Sequence, residues 1–147
     1  VIKKTTGKDI TNYPGAGAAG GMGGGLLAFF NAELKPGTEL LLKAIDFSEK
    51  IKGADLIITG EGKADRQTAM GKVPYGILKE AQKEHIPVIV LAGSIENLPE
   101  LNKAGFKGIF SIAPGPITLE KAMEPEFAKE NITRLVSQLY SVITSFG

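Results

Sequence analysis

From residue 54 onward the chain alternates short apolar runs with helical patterns, and that alternation leaves few folds open. Residues 55–59 and 87–92 are unbroken, apolar and rich in β-branched side chains, as strands buried on both faces are. Residues 107–113 form a third such run. Between the runs, 72–84 place Val73, Ile77, Leu78 and Ala81 on one helical face with Pro74 in the first turn, and 97–104 read as a short helix closed by Gly105. Residues 118–123 predict another short helix. Pro125 opens a last one, with Ile132, Leu135, Val136, Leu139, Tyr140 and Ile143 on one face. A β-α-β-α-β-α order requires right-handed crossovers, hence an α/β fold with a parallel sheet covered by helices on both faces.

Residues 1–53 carry no comparable run. Leu40, Leu41, Ala44 and Ile45 predict one short helix, and Asp46, with Glu49 three residues later, predicts the N-cap of the next. Seven glycines stand between Gly15 and Gly25, followed by Leu26, Leu27, Ala28, Phe29 and Phe30, which reads as a helix rich in small residues. Each glycine costs a helix about 1 kcal/mol relative to alanine. The cluster therefore calls for a close approach to its backbone, by a packed helix or by a phosphate or small substrate, with Gly17, Gly20 and Gly21 as the contact points. Gly15-x-Gly17-x-x-Gly20 matches a dinucleotide fingerprint as text, but it follows Asn12-Tyr13-Pro14 where that fingerprint needs a strand.

The boundary expected near Gly53 divides a glycine-rich helical segment of a second domain, 1–53, from an incomplete α/β domain, 54–147. Three strands are few for such a sheet, and the chain opens at Val1. It is thus expected to be a piece of a longer protein, its missing N-terminal part supplying further strands, and to self-associate when isolated.

Composition removes several functions. Seventeen basic and sixteen acidic residues leave a net charge of +1, which excludes a strongly basic nucleic-acid binder. Cysteine is absent and His85 is the single histidine, read as a solvated loop residue, so thiolate and imidazole metal sites are excluded. No apolar run approaches the ~18 residues of a membrane span, and a cytoplasmic location without a membrane partner is expected.

The richest chemistry follows the first strand. Thr59-Gly60-Glu61-Gly62-Lys63-Ala64-Asp65-Arg66-Gln67-Thr68 combines glycines, carboxylates, an amide and hydroxyls, and Gly71-Lys72 then opens a helix. Ligands of open α/β sheets bind outside the carboxyl ends of the strands. The loop lacks the glycine spacing of a Walker A motif. Carboxylates beside glycine amides suit a Mg²⁺–phosphate site, since Mg²⁺ takes one or two carboxylates and completes its shell with phosphate oxygens. Asp65 is the candidate proton acceptor or Mg²⁺ ligand and Glu61 the second carboxylate. Lys72 would meet a phosphate, Gly60 and Gly62 would admit it, and Gln67 and Thr68 would orient substrate. Ser94, after the second strand, is a further candidate. Ala113-Pro114-Gly115-Pro116 would shape the rim.

Several phrases together resemble the type I glycerate kinases of bacteria: the 15–23 glycine stretch, Gly37-Thr38-Glu39-Leu40 after Lys35-Pro36, the 54–68 segment, Gly71-Lys72-Val73-Pro74, and Leu91-Ala92-Gly93-Ser94. The resemblance runs from about Asp9 to the last helix. It implies a two-domain α/β protein with one flavodoxin-like domain and a site between the domains, which uses ATP to phosphorylate D-glycerate. It also implies that this chain is the C-terminal portion, expected to be inactive alone. A non-catalytic flavodoxin-type binding module and a kinase of another hydroxy acid are the alternative readings.

Overall fold

The computed structural model describes residues 1–30, 32–96 and 98–145. They form two compact units, 1–41 and 42–147.

The first unit holds α1 (Ile2–Thr6) and α2 (Ala18–Phe30), and α3 (Gly37–Ala44) begins in it. The glycine-rich segment is not one continuous helix. Ala19, Gly20 and Gly21 adopt left-handed angles (φ 49°, 66° and 93°) and break α2 into a short entry and a regular stretch. Close approach occurs past the break. A Cβ on Gly23 would run into the carbonyl of Gly15, and one on Gly24 would lie 3.1 Å from the Ala16 oxygen. The Gly24 N–H donates to that same oxygen at 2.8 Å. Gly20 has open space around it, so its demand is for positive φ and not for clearance.

The second unit is the expected parallel sheet. Strands β1 (Ile57–Ala64), β2 (Val88–Ile95) and β3 (Gly108–Ser111) lie in the order β1-β2-β3, all parallel. The connections carry α5 (Val73–Lys83) and α6 (Leu98–Ala104). The helix expected from Asn97 therefore starts at Leu98 among the described residues, and Asn97 itself lies outside them. Leu78 and Ala81 of α5 and Leu101 of α6 pack with Val88, Val90 and Ala92 of β2 in one buried cluster, which Phe106 and Ile109 extend. Each fully buried leucine or valine there contributes roughly 1.5–3 kcal/mol relative to an exposed one. On the other face, Ile132 of α8 (Pro125–Thr144) shares a groove with Ile58, Leu91 and Ile112. Leu135, Val136 and Leu139 of its predicted face are half-buried, whereas Ile132, Tyr140 and Ile143 stay exposed.

Two strands run past their predicted ends. β1 continues through Gly60–Ala64, read above as loop, and β2 through Gly93–Ile95. Pairing persists as Glu61↔Ala92, Lys63↔Ser94 and Ala64↔Ile95. Glycine makes this possible: a Cβ on Gly93 would sit 2.7 Å from the Gly62 oxygen. Two short helices complete the unit, α4 (Phe47–Lys50) and α7 (Leu119–Ala122). Asp46 does occupy the N-cap position of α4, but in left-handed conformation and with its carboxylate accepting no hydrogen bond from the helix. His85 is exposed, with φ 58°, in the turn between α5 and β2.

Candidate functional site

The crossover from β1 to α5 gathers the polar residues of the sequence motif. β1 delivers Gly60, Glu61, Gly62 and Lys63 in extended backbone, and Asp65 follows one residue beyond its end. The chain then turns sharply. The Gln67 N–H donates to Asp65 Oδ1 at 2.9 Å, and the Thr68 N–H donates to the Asp65 carbonyl at 2.9 Å. A short 3-10 turn, Thr68–Met70, leads to Gly71 (φ 126°), and Lys72 caps α5 in extended conformation with Pro74 in the first turn.

This path brings one ammonium between two carboxylates. Lys72 Nζ lies 3.1 Å from Asp65 Oδ1 and 3.4 Å from Glu61 Oε2, and also donates to the Lys63 carbonyl at 3.4 Å. All three side chains are largely withdrawn from solvent, at 34%, 21% and 12% exposure for Lys72, Asp65 and Glu61. The Lys72 ammonium beside Asp65 holds that carboxyl below the usual carboxylate range, helped by the Gln67 amide. Asp65 in turn, then Glu61, holds Lys72 above the usual lysine value. One atom in this cluster is left over: Glu61 Oε1 is buried without a hydrogen-bond partner. Leaving a buried polar atom unpaired costs about 1–3 kcal/mol, which a ligand donor or a cation would recover.

Two carboxylates with one orphaned oxygen fit Mg²⁺ if phosphate and water complete its shell. Among the described residues no group of three or more acidic or histidine side chains could hold a metal unaided.

The remaining sequence candidates fall as follows. Gln67 is exposed beside Asp65, and Ser94 is exposed on β2 opposite Lys63. Thr68 is fully buried beneath the loop, so its hydroxyl can influence a ligand only through what it holds. Gly17, Gly20 and Gly21 belong to the first unit, the last two as left-handed residues of the α2 break. Glu61 also borders a groove of about 390 Å³ whose other walls include Ile58, Leu91, Ile112 and Ile132. Lys63 stands in the motif without an assigned role, and its Nζ pairs with Glu96 at 2.8 Å across the ends of β1 and β2. Nothing in the sequence links those two residues short of the strand register.

Comparison with known proteins gives a consistent result. The family model described as the glycerate kinase family matches residues 1–144. A glycerate kinase of Bacillus cereus is 42% identical over 143 residues, 97% of this chain and 37% of the relative. One from Halalkalibacterium halodurans is 45% identical over 125 residues, 84% of this chain and 33% of the relative. A glycerate 2-kinase of Escherichia coli is 43% identical over 135 residues, 91% and 35%. A crystal structure assigned as glycerate kinase 2 of Salmonella typhimurium superposes with a TM-score of 0.70 at 34% identity, covering 98% of this chain and 36% of that one. The chain thus spans about a third of the length of the curated relatives it matches.

Proposed function

This chain belongs to the glycerate kinase family, and from that premise we propose that it is part of a kinase that uses ATP to phosphorylate D-glycerate. The observation that carries the reading is the Glu61–Lys72–Asp65 cluster at the carboxyl end of β1. The proposal includes a flavodoxin-like α/β domain and a second domain, divided at residues 41/42 and not near Gly53, because Phe47 and Ile51 pack into the core of the sheet unit. It also includes a missing portion of the same protein, needed for activity, and a cytoplasmic setting. Among the described residues no helix is long and apolar enough to cross a membrane.

Phosphoryl transfer asks the protein for positioning and charge neutralisation more than for covalent chemistry. When bound, Mg²⁺-ATP supplies the phosphoryl group and offsets its charge. Glu61, with its orphaned oxygen, is the residue that would hold the ion. Lys72 exchanges carboxylate partners for phosphate oxygens at the opening of α5, where the helix dipole also favours an anion. Asp65 accepts the glycerate hydroxyl proton. While Lys72 is its partner Asp65 is a weak base, and transfer of Lys72 to phosphate makes it a better one. Gln67 orients the acceptor, Gly60 and Gly62 leave room for it, and Ser94 lines the neighbouring strand end.

The test is steady-state ADP production with D-glycerate in the full-length protein. Asp65→Asn is expected to keep the melting temperature and lower kcat by ~10²-fold or more, the scale of a lost general base. Full activity in that variant would return Asp65 to the ordinary loop charges.

A further inference from the structure

We propose that Thr68 is a positioning residue: its buried hydroxyl fixes the Asp65 backbone so that the carboxylate presents Oδ2 to the acceptor. The inference rests on the reading of Asp65 as the proton acceptor. Thr68 is completely buried, although the loop around it is polar and partly exposed. It stands at the start of the 3-10 turn, which packs against both α5 and α6. Its Oγ1 accepts the Asp65 N–H at 2.9 Å, and its own N–H donates to the Asp65 carbonyl at 2.9 Å. Thr68 thus holds both backbone polar groups of Asp65, one through its side chain and one through its main chain.

The carboxylate is oriented from the other side. The Gln67 N–H and Lys72 Nζ both converge on Oδ1, at 2.9 and 3.1 Å. Oδ2 is the oxygen these donors do not engage. With Oδ1 still held by the Gln67 N–H once Lys72 turns to phosphate, and its backbone tied to a buried hydroxyl, the carboxylate has little freedom to swing away, and positioning of this kind governs how often a reacting pair meets in line. Removing the hydroxyl while keeping the shape leaves the Asp65 N–H without its partner and frees the loop at that residue.

The experiment compares Thr68→Val, Thr68→Ser and Thr68→Ala with Asp65→Asn in the full-length protein, measuring kcat, KM for ATP and for D-glycerate, and the melting temperature. Thr68→Val is expected to lower kcat about tenfold or more while KM for ATP stays within about twofold, because a misplaced reacting group slows the step without removing the nucleotide site. Thr68→Ser, which retains Oγ, is expected to restore kcat to within about threefold of the parent. Thr68→Ala is expected to resemble Thr68→Val. Should Thr68→Val fail to fold, the Ser and Ala variants decide the matter, since both lack the methyl group and differ only in the hydroxyl. Equal losses in Ser and Ala, or an unchanged kcat in the folded variants lacking the hydroxyl, would overturn the inference while an inactive Asp65→Asn left the site reading intact. A fully active Asp65→Asn would instead remove the premise.

Discussion

Lys72 is pinned between Asp65 and Glu61, and the two carboxylates do not share it equally. Asp65 has the shorter contact and a second donor in the Gln67 amide, whereas Glu61 keeps one oxygen buried and unpartnered. The asymmetry predicts different outcomes for neutral replacements. Glu61→Gln should raise the Mg²⁺ concentration needed for half-maximal activity and reduce kcat less than Asp65→Asn does. A Mg²⁺ titration of the two variants checks this, and an unchanged Mg²⁺ requirement would take Glu61 out of the metal role. Away from the site, Glu80 of α5 accepts from Lys83 at 2.6 Å and from Ser48 of α4 at 2.8 Å. Lys83, then Ser48, holds its carboxyl below the ordinary value. A lowered folded-state value means that the contribution is present above the unfolded glutamate value and lost as pH falls through the folded one. Glu80→Gln should therefore be less stable than the parent at neutral pH, with the gap closing on acidification. Parallel melts across that range would show it, and a gap independent of pH would remove the ionic account. Individual charges were legible in the sequence, but their partners were not. Lys63 finds Glu96 only because β1 and β2 pair in one register, and Thr68 reads as a substrate-orienting hydroxyl, whereas the turn that carries it packs against α5 and α6 and leaves it fully buried.

Among the elements, apolar runs located the strands reliably and glycine concealed where two of them end. Gly60, Gly62 and Gly93 look like loop residues, yet they sit within β1 and β2, and at Gly93 the strands meet more closely than a Cβ permits, 2.7 Å from the Gly62 oxygen. The pairing continues through residues whose side chains carry no strand signal, which places Glu61 on the sheet itself and Asp65 at its rim. The glycine cluster of α2 was similarly half legible: the need for small residues was visible, the break at Ala19–Gly21 was not. Its glycines now separate by physical role. Gly23→Ala should destabilise the first unit, because the new methyl meets the Gly15 carbonyl, and overpacking against backbone costs roughly 1–3 kcal/mol. Gly25 lies in the regular part of the helix with open space around it, so Gly25→Ala should stabilise by about 0.5–1 kcal/mol. Amide exchange of the first unit measures both. Shifts of the same sign would mean that clearance at the backbone is not what separates these positions.

For the whole molecule the governing fact is a three-stranded parallel sheet whose outer strands, β1 and β3, each have one side without a strand partner among the described residues. An open strand edge offers a row of backbone donors and acceptors to any other chain, and a short twisted edge or a well-placed charge is the usual defence. β3 is short, at four residues. β1 is twice that length, and Ile58 on it is 43% exposed, so the more vulnerable edge is β1. The 147-residue chain produced by itself should therefore associate through β1, its sedimentation coefficient rising with concentration. Ile58→Lys should weaken that association while leaving the core of Leu78, Val90 and Leu101 untouched, because lysine on an edge strand opposes further pairing. Leu119→Ser makes the control. Leu119 is more exposed than Ile58, at 73%, but lies on α7 and belongs to no strand. If general stickiness drove association, the Leu119 variant would disperse as well as the Ile58 variant. If the edge drives it, only the lysine at 58 restores a single sedimenting species. A parent chain that stays monomeric over a wide concentration range would refute both versions and show that the sheet edge is protected by means other than a partner strand.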